Sequence, residues 1–347
     1  MQPRPLRPER SAFRPPHPDP ALTPGQPLAE PPATVRGVLA ALRPALCDLY
    51  GAREAEAVAE RFVEDVCGWS RTDYVMRRDE ALPPPLAAQL TAGAGRLAAG
   101  EPLQYVLGRA EFLGQVFEVS PAVLIPRPET AELVDWIAAD VAAPSASAGA
   151  PGAAPLTLLD VGTGSGCIAL SLARLIHNSQ VVAVDLSTDA LAVAERNARR
   201  QEVSNIRFAQ MDILRAASAD GEASYPPLCT ARGEAVDKFG ILVSNPPYVP
   251  LRDADAMCRN VLDFEPHTAL FVPDDDPLLF YRAIARYGLR RLQPGVGRVY
   301  CEVHAALGRE TAALFETEGY AEVTLRCDAE GRDRMLRAVL PQRPAGG

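Results

Sequence analysis

The chain has 347 residues, of which 48% are hydrophobic and 23% charged, and its formal net charge is −9. This composition is typical of a globular protein, and the length suits two domains. The negative charge argues against a broad nucleic-acid-binding surface, and no apolar run approaches the roughly 18 residues that span a membrane. Seven cysteines without a C-x-x-C pair indicate reduced thiols in a cytoplasmic protein rather than a disulfide framework. The four histidines show no metal-ligand spacing, so we expect no metal site.

The N-terminal part of the sequence divides into a tail and a helical domain. Residues 1–33 contain eleven prolines and almost no aromatic residue, so this tail is predicted to be disordered. Between residues 34 and 108 apolar residues recur at helical spacing, and Pro83-Pro84-Pro85 opens a further helix. Residues 34–108 are therefore predicted to form an all-α domain. Because no side chain there suggests catalysis, we expect this domain to dock the substrate.

The pattern changes between residues 101 and 126. Residues 104–109 and 111–119 alternate and carry β-formers, which predicts a β-hairpin, with residues 109–126 as the linker between two domains. The segment ends in the run Ile125-Pro126-Arg127-Pro128-Glu129-Thr130. Pro128 suits the first position of a helix that runs to about residue 142. Arg127 and Glu129 are candidates for a salt bridge, and whether either acts in a site is left open. Residues 143–155 are predicted to be a surface linker.

A glycine-rich turn follows the first strand of the C-terminal half. Residues 156–161 form an apolar strand that contains Asp160, and a helix is predicted from Cys167. Between them stands the run Gly162-Thr163-Gly164-Ser165-Gly166. Such a turn lets a ligand approach backbone N–H groups at the positive end of a helix. Because Asp160 would repel a phosphate, the turn suits the ammonium group of S-adenosylmethionine better than a dinucleotide.

The ends of the next two strands complete a predicted nucleoside site. Asp185 follows the strand at residues 180–184, where an acid is placed to accept both ribose hydroxyls. The strand at residues 206–210 ends near Asp212 and Ile213. We expect Asp212 to accept from the adenine amino group and Ile213 to cover the ring.

A second motif follows the fourth strand, the apolar run at residues 239–243. It reads Ser244-Asn245-Pro246-Pro247-Tyr248. The two prolines force a stiff, extended exit from the sheet, at the end where open α/β sheets bind ligands. The Asn245 side-chain oxygen and the Pro246 carbonyl can each accept one hydrogen of a planar NH2 group, while Tyr248 packs on its face. The alternative, a proline-rich turn without chemistry, is disfavoured by the glycine turn upstream.

The remaining strands define the fold class. Residues 297–303 form a fifth strand, and residues 323–327 and 335–340 are joined by a link so short that only antiparallel pairing is possible. The predicted fold is therefore α/β, with a Rossmann-like sheet that is parallel except for one antiparallel strand near its edge. This catalytic domain spans residues 127–342, and the small all-α domain precedes it. Residues 216–238 are predicted to be a surface insertion, and the loop at 261–269 to pack over the site.

The chain resembles the protein-(glutamine-N5) methyltransferases of the PrmC/HemK family over roughly residues 34–342. The motifs shared are Gly100-Glu101-Pro102, residues 125–130, residues 160–166, Asp185, residues 245–248 and Glu265-Pro266. The resemblance implies a methyltransferase sheet and S-adenosylmethionine as the donor, held by residues 162–166 and Asp185. It also implies a substrate, the glutamine of the Gly-Gly-Gln loop of peptide-chain release factors. The residues implied to bind it are Asn245, Pro246, Pro247 and Tyr248. Ile213 stands where the family often has an aromatic residue over the adenine.

The predicted chemistry requires alignment rather than acid–base catalysis. An amide nitrogen is a poor nucleophile, but a sulfonium methyl is already activated, so the enzyme must hold the reactants in line. Asn245, Pro246 and Tyr248 are the predicted catalytic residues, and Asn245 also borders the cofactor. The expected partner is a release factor, with no direct binding of nucleic acid or membrane, and the chain is expected to be a monomer.

The sequence leaves three alternative functions open. They are N5-glutamine methylation of a ribosomal protein, adenine-N6 methylation of nucleic acid, and a non-catalytic regulator that binds S-adenosylmethionine. The run Arg127-Pro128-Glu129-Thr130 favours the release-factor branch over the ribosomal one. The acidic charge balance disfavours nucleic acid as the substrate.

Overall fold

A computed structural model describes residues 34–143 and 154–342. The predicted disordered tail lies outside the described residues, as does most of the predicted surface linker.

The helices of the N-terminal domain are α1 (Val35–Tyr50), α2 (Ala52–Cys67), α3 (Arg71–Arg77), α4 (Pro84–Ala98) and α5 (Leu103–Leu107). Val38, Leu42, Phe62 and Leu97 are almost completely buried in one shared cluster. Burial of each such side chain stabilises the fold by about 1.5–3 kcal/mol. The five helices confirm the predicted all-α architecture.

Two glycines of α4 lie in opposite environments and provide a matched test of this packing. A Cβ on Gly93 would lie 2.6 Å from the ring of Phe62, which is fully buried, whereas a Cβ on Gly95 would meet nothing within 4 Å. We expect Gly93→Ala to lower the free energy of unfolding by about 1–3 kcal/mol through overpacking. Gly95→Ala should raise it by up to about 1 kcal/mol through helix propensity. Urea unfolding measures both, and equal effects of the two substitutions would contradict the packing described.

A short hairpin follows the helices, but it is smaller than predicted. Strands β1 (Arg109–Phe112) and β2 (Gln115–Glu118) pair antiparallel. The strand expected at residues 104–109 is wrong, because most of that segment forms α5. Pro102 precedes this helix and Gly108, at φ 68°, ends it in the left-handed conformation. Tyr105 is buried on the helix and its hydroxyl donates to the Val123 carbonyl at 2.6 Å, so tertiary burial overrides the alternating pattern.

In the described part of the chain, a seven-stranded sheet forms the centre of the C-terminal domain. The strands that follow the hairpin are β3 (Leu156–Val161), β4 (Ser179–Asp185), β5 (Ile206–Gln210), β6 (Ile241–Ser244), β7 (Val249–Pro250), β8 (Phe271–Val272), β9 (Arg298–Glu302), β10 (Ala321–Cys327) and β11 (Asp333–Val339). The sheet order is β10-β11-β9-β6-β3-β4-β5, and β7 pairs separately with β8. β11 runs antiparallel to β10 and β9, and the other neighbouring strands run parallel. The prediction of one reversed strand near the edge is confirmed.

Helices cover both faces of this sheet, and shorter helices lie in the connections between its strands. They are α6 (Pro128–Ala142), α7 (Cys167–Leu175), α8 (Thr188–Arg200), α9 (Ile213–Ala216), α10 (Ala219–Glu222), α11 (Arg259–Phe264), α12 (His267–Leu270), α13 (Leu279–Arg291) and α14 (Gly308–Thr317). Neighbouring residues of β3 point to opposite faces, as the pleat requires. Leu158 packs in a cluster with α6 and α7, whereas Leu159 packs in a cluster with α13 and α14. None of the described helices combines the length and apolarity needed to cross a membrane.

The segment predicted as a surface insertion, residues 216–238, is more integrated than expected. Leu228 and Val236 are 7% exposed and join the core cluster that contains α13. Glu222 accepts from Arg290 at 3.1 Å and from Arg291 at 2.9 Å. The segment is therefore held against α13 by buried apolar contacts and by partly buried ion pairs, rather than lying loosely on the surface.

Candidate active site

The polar motifs meet at the carboxyl ends of neighbouring strands. Val161 of β3 is level with Val184 of β4 and with Ser244 of β6, and adjacent strands lie about 4.8 Å apart. The Ser244 hydroxyl donates to the Val161 carbonyl at 2.6 Å, which fixes β6 against β3. The glycine turn begins directly after β3, Asp185 is the last residue of β4, and Asn245 directly follows β6. The structure thus brings the two sequence motifs together at one end of the sheet.

The glycine turn leaves room for a ligand at two of its glycines. Gly162 and Gly164 have φ values of 74° and 55°, and a Cβ on either would enter open space. Gly166, at φ 83°, serves a different purpose, because its Cβ would lie 3.2 Å from the Cβ of Ala194 on α8. Left-handed backbone at these positions favours glycine, and the first two expose the turn to the site. The third allows close packing of α7 against α8.

Asp160 lies beneath this turn and is fully buried. Its Oδ2 accepts from the Thr163 hydroxyl at 2.7 Å. Its Oδ1 accepts no well-formed hydrogen bond from the described residues, and the Ala169 N–H contributes only weakly. Burial raises the pKa of Asp160 to about 7. A buried, poorly compensated carboxylate under an open turn suits a positively charged ligand, which fits the predicted cofactor. Its direct contact with an ammonium group stays a prediction, because the Asp160 side chain has no exposed surface.

The burial of Asp160 predicts a pH dependence of stability that a single substitution should remove. An aspartate in an unfolded chain has a pKa near 4, so protonated Asp160 stabilises the folded state fully below about pH 4. That stabilisation is lost as the pH rises to the folded pKa of about 7. We therefore expect the free energy of unfolding of Asp160→Asn to rise by about 2 kcal/mol relative to that of wild type as the pH goes from 5 to 7. Each pKa unit corresponds to about 1.4 kcal/mol. Urea unfolding at the two pH values measures it, and parallel pH profiles would contradict the raised pKa.

Asp185 ties the glycine turn to the end of β4. Its Oδ2 accepts from the Gly164 N–H at 2.9 Å, and its Oδ1 accepts from the Ser187 N–H at 2.9 Å. Burial raises the pKa of this carboxyl, whereas the backbone donors favour its ionised form. Each carboxylate oxygen has a further lone pair, so the predicted contacts with two ribose hydroxyls are compatible with these bonds.

The predicted adenine end of the site contains one exposed apolar side chain that sequence reasoning missed. Asp212 caps α9 by accepting from the Leu214 N–H at 2.9 Å. Ile213 is only 7% exposed and packs in the sheet core, so little of it is available to cover a ring. Leu186, directly after Asp185, is 57% exposed. Its position after the acid at a strand end was the signal that could have identified it.

The motif at residues 244–248 leaves β6 as an extended segment, and two of its side chains, Asn245 and Tyr248, bond to α6 and β9. Asn245 Nδ2 donates to Thr130 Oγ1 at 3.2 Å. The Tyr248 hydroxyl donates to Glu302 Oε1 at 2.9 Å, and its ring meets His304 edge-on with centroids 6.0 Å apart. Asn245 as a whole is partly exposed.

Thr130 and Glu302 were not predicted, although both belong to segments that the sequence singled out. Glu302 is 1% exposed at the end of β9, the neighbour of β6, and its Oε2 accepts from the Thr130 hydroxyl at 2.6 Å. The rule that identified Asp185, an acid at the end of a parallel strand, also applies to Glu302. Thr130 carries no such signal, because its partners are more than 100 residues away.

The predicted salt bridge between Arg127 and Glu129 is wrong. Arg127 is extended and Glu129 lies in the first turn of α6, so their side chains diverge. Arg127 Nη2 pairs instead with Glu265 Oε1 at 2.5 Å, and Glu265 Oε2 accepts from the Ile125 N–H at 3.1 Å. Glu129 Oε1 instead lies 3.7 Å from Arg332 Nη2. Glu265 joins α11 to α12, so this pair of short helices holds the segment that carries Thr130.

The fold and the site define a methyltransferase. The Methyltransferase domain family matches residues 154–263, which contain the glycine turn, Asp185 and the motif at 244–248. The PrmC N-terminal domain family matches residues 40–108, the helical domain.

The chain belongs to the family of release factor glutamine methyltransferases. It is 40% identical over 301 residues to the release factor glutamine methyltransferase of Bacteroides thetaiotaomicron, covering 87% of this chain and 98% of that protein. The enzyme of the same name from Flavobacterium psychrophilum is 38% identical, covering 84% of this chain and 94% of that protein. A release factor-specific protein-(glutamine-N5) methyltransferase structure from Alicyclobacillus acidocaldarius is 27% identical, with a TM-score of 0.36, covering 65% and 99% of the two chains.

Proposed function

We propose that this enzyme transfers a methyl group from S-adenosylmethionine to the side-chain amide nitrogen, N5, of the glutamine in the Gly-Gly-Gln loop of release factors. The observation that carries the proposal is the position of Asn245. This uncharged amide follows β6 at the end of the sheet where the glycine turn follows β3. Such a group recognises a planar carboxamide without offering a base, as a neutral amide substrate requires.

The donor site is proposed to use the turn and the three strand ends around it. S-adenosylmethionine supplies an activated methyl group on a sulfonium when bound. Gly162 and Gly164 leave space for it, Asp185 offers acceptors for the ribose hydroxyls, and the charge of Asp160 complements the cation across the turn. The exposed Leu186 is proposed to contact the adenine, with Asp212 accepting from its amino group.

Asn245 and Pro246 are proposed to orient the substrate amide. The Asn245 Oδ1 and the Pro246 carbonyl each accept one N–H of the glutamine, which fixes the amide plane and turns the nitrogen lone pair towards the methyl group. These acceptors also favour the positive charge that develops on nitrogen during transfer, and one N–H proton then leaves the nitrogen for solvent, which restores a neutral amide. Tyr248 and Pro247 are proposed to pack on the flat faces of the carboxamide. Tyr248 is held for this purpose by its hydrogen bond to Glu302.

The helical domain is proposed to dock the release factor, because it contacts the hairpin and, in the C-terminal domain, α11. Asn260 of α11 donates to the Tyr50 hydroxyl of α1 at 3.3 Å. A Cβ on Gly100 would lie 3.7 Å from the Phe264 ring. Arg109 of the hairpin pairs with Asp65 of α2 at 3.0 Å. A protein bound on these helices would therefore also lie near α11, whose last turn leads to Glu265, the partner of Arg127. That the enzyme acts as a monomer in the cytoplasm is also part of the proposal.

Methyl transfer from labelled S-adenosylmethionine tests the proposed function. We expect label on the intact release factor, and none on a variant whose loop glutamine is replaced by alanine. Nucleic acid and ribosomal proteins serve as parallel substrates at the same concentration. Label that persists on the alanine variant, or that appears on nucleic acid or a ribosomal protein instead, would contradict the proposal.

A further inference from the structure

We propose that Thr130 and Glu302 are positioning residues that set the direction of the Asn245 side-chain amide, so that its oxygen faces the substrate. The proposal rests on the proposed function, because it concerns the same glutamine site. It assigns a role to Thr130 of the Pro-rich run and to the acid that ends β9.

A continuous chain of hydrogen bonds joins segments that are distant in the sequence. Asn245 Nδ2 donates to Thr130 Oγ1 at 3.2 Å, and the Thr130 hydroxyl donates to Glu302 Oε2 at 2.6 Å. The Tyr248 hydroxyl donates to Glu302 Oε1 at 2.9 Å. The backbone carbonyl of Glu302 accepts from the Tyr281 hydroxyl at 3.1 Å, which fixes the strand end. Thr130 and Glu302 are 2% and 1% exposed, so water does not compete for these groups.

The carboxylate gives this chain a direction. An ionised carboxylate can only accept, so both hydroxyls that face Glu302 must donate to it. Burial and the charge of Glu129 raise the pKa of Glu302, whereas the hydrogen bonds from Thr130 and Tyr248 and the charge of Arg334 oppose that rise and stabilise the ionised form on which this direction depends. With its hydrogen committed to Glu302, the Thr130 oxygen presents only lone pairs to Asn245. The amide nitrogen of Asn245 must therefore face Thr130, and its oxygen must face away.

The direction matters because the substrate group is itself an amide NH2. An Asn245 oxygen that faces the site accepts one of its hydrogens. In the flipped orientation the Asn245 NH2 would face the substrate NH2, and two donors make no hydrogen bond. The Asn245 oxygen would then face a Thr130 oxygen without a free hydrogen. Glu302, through Thr130, thus selects the orientation that can hold the glutamine.

Two substitutions of Thr130 test this role with a matched pair. Thr130→Val keeps the shape but removes the hydroxyl, whereas Thr130→Ser keeps it. We expect Thr130→Val to lower kcat by about 10- to 100-fold, the cost of one misaligned polar group, and Thr130→Ser to retain most of the turnover. The Kd for S-adenosylmethionine should stay unchanged in both variants. Glu302→Gln, which adds a donor without changing the volume, should lower kcat in the same way.

A double-mutant cycle separates positioning from a general structural effect. If Thr130 acts through Asn245, Thr130→Val should cost nothing further in kcat when Asn245 is already alanine. An equal loss of kcat in both backgrounds, or a wild-type kcat for Thr130→Val, would overturn the proposal. Wild-type enzyme that labels no release factor would contradict the proposed function instead. The wild-type control therefore distinguishes the two failures.

Discussion

Asn245→Ala is expected to lower kcat for release-factor methylation by about 10²–10³-fold, the loss typical of one aligned polar group in a reaction centre. The alanine removes the side-chain oxygen that is proposed to orient the substrate amide. Thr130 loses its donor at the same time, but Glu302 keeps the Thr130 and Tyr248 hydroxyls. Steady-state kinetics with labelled donor measure the change.

The matched control for this variant is Asn178→Ala. Asn178 is exposed and lies beside Ser179, at the opposite end of β4 from the site. We expect its kcat to equal that of wild type, and the Tm of both variants to show that the folded state is retained. Near-wild-type turnover in Asn245→Ala would remove the proposed role of this residue.

Asp185→Ala is expected to weaken binding of S-adenosylmethionine by about 100-fold or more. The carboxylate accepts from the Gly164 and Ser187 N–H groups, and hydrogen bonds to a charged group contribute about 1.5–3 kcal/mol each. Its loss both releases the glycine turn and removes the proposed acceptors for the ribose. Isothermal titration with S-adenosylmethionine measures the Kd.

Asp189→Ala is the control for that measurement. Asp189 is exposed in the first turn of α8, four residues from Asp185, and it has the same charge. A general loss of negative charge near the site would weaken binding equally in both variants. We expect only Asp185→Ala to change the Kd, and equal changes would show that the contacts of Asp185 do not matter.

The sheet was largely predictable because its signals are local. The runs that form β3, β4 and β6 are mostly apolar and end next to the glycine turn, Asp185 and Asn245, and the link between β10 and β11 is too short for any pairing but antiparallel. The segment that became α5 was predicted wrongly. Its alternating pattern suited a strand, but Pro102, Gly108 and the burial of Tyr105 against Val123 favoured a helix. Such contacts depend on the packing of the whole domain.

The site was predictable to the extent that its residues follow strand ends. The glycine turn, Asp185 and Asn245 were identified by that rule, and the structure places them side by side. The partners of Arg127 and Thr130 could not be identified in this way. Arg127 pairs with Glu265, 138 residues away, and Thr130 contacts Glu302, 172 residues away. Only the folded chain brings such pairs together, because nothing in the local sequence specifies them.

The most direct test of the central claim is a crystal structure of the enzyme with S-adenosylhomocysteine and a release factor bound. We predict that the loop glutamine enters beside the motif at residues 244–248. Its side-chain nitrogen should lie about 3 Å from both Asn245 Oδ1 and the Pro246 carbonyl, on a line with the sulfur. A glutamine held elsewhere, or an Asn245 whose nitrogen faces the substrate, would contradict the account.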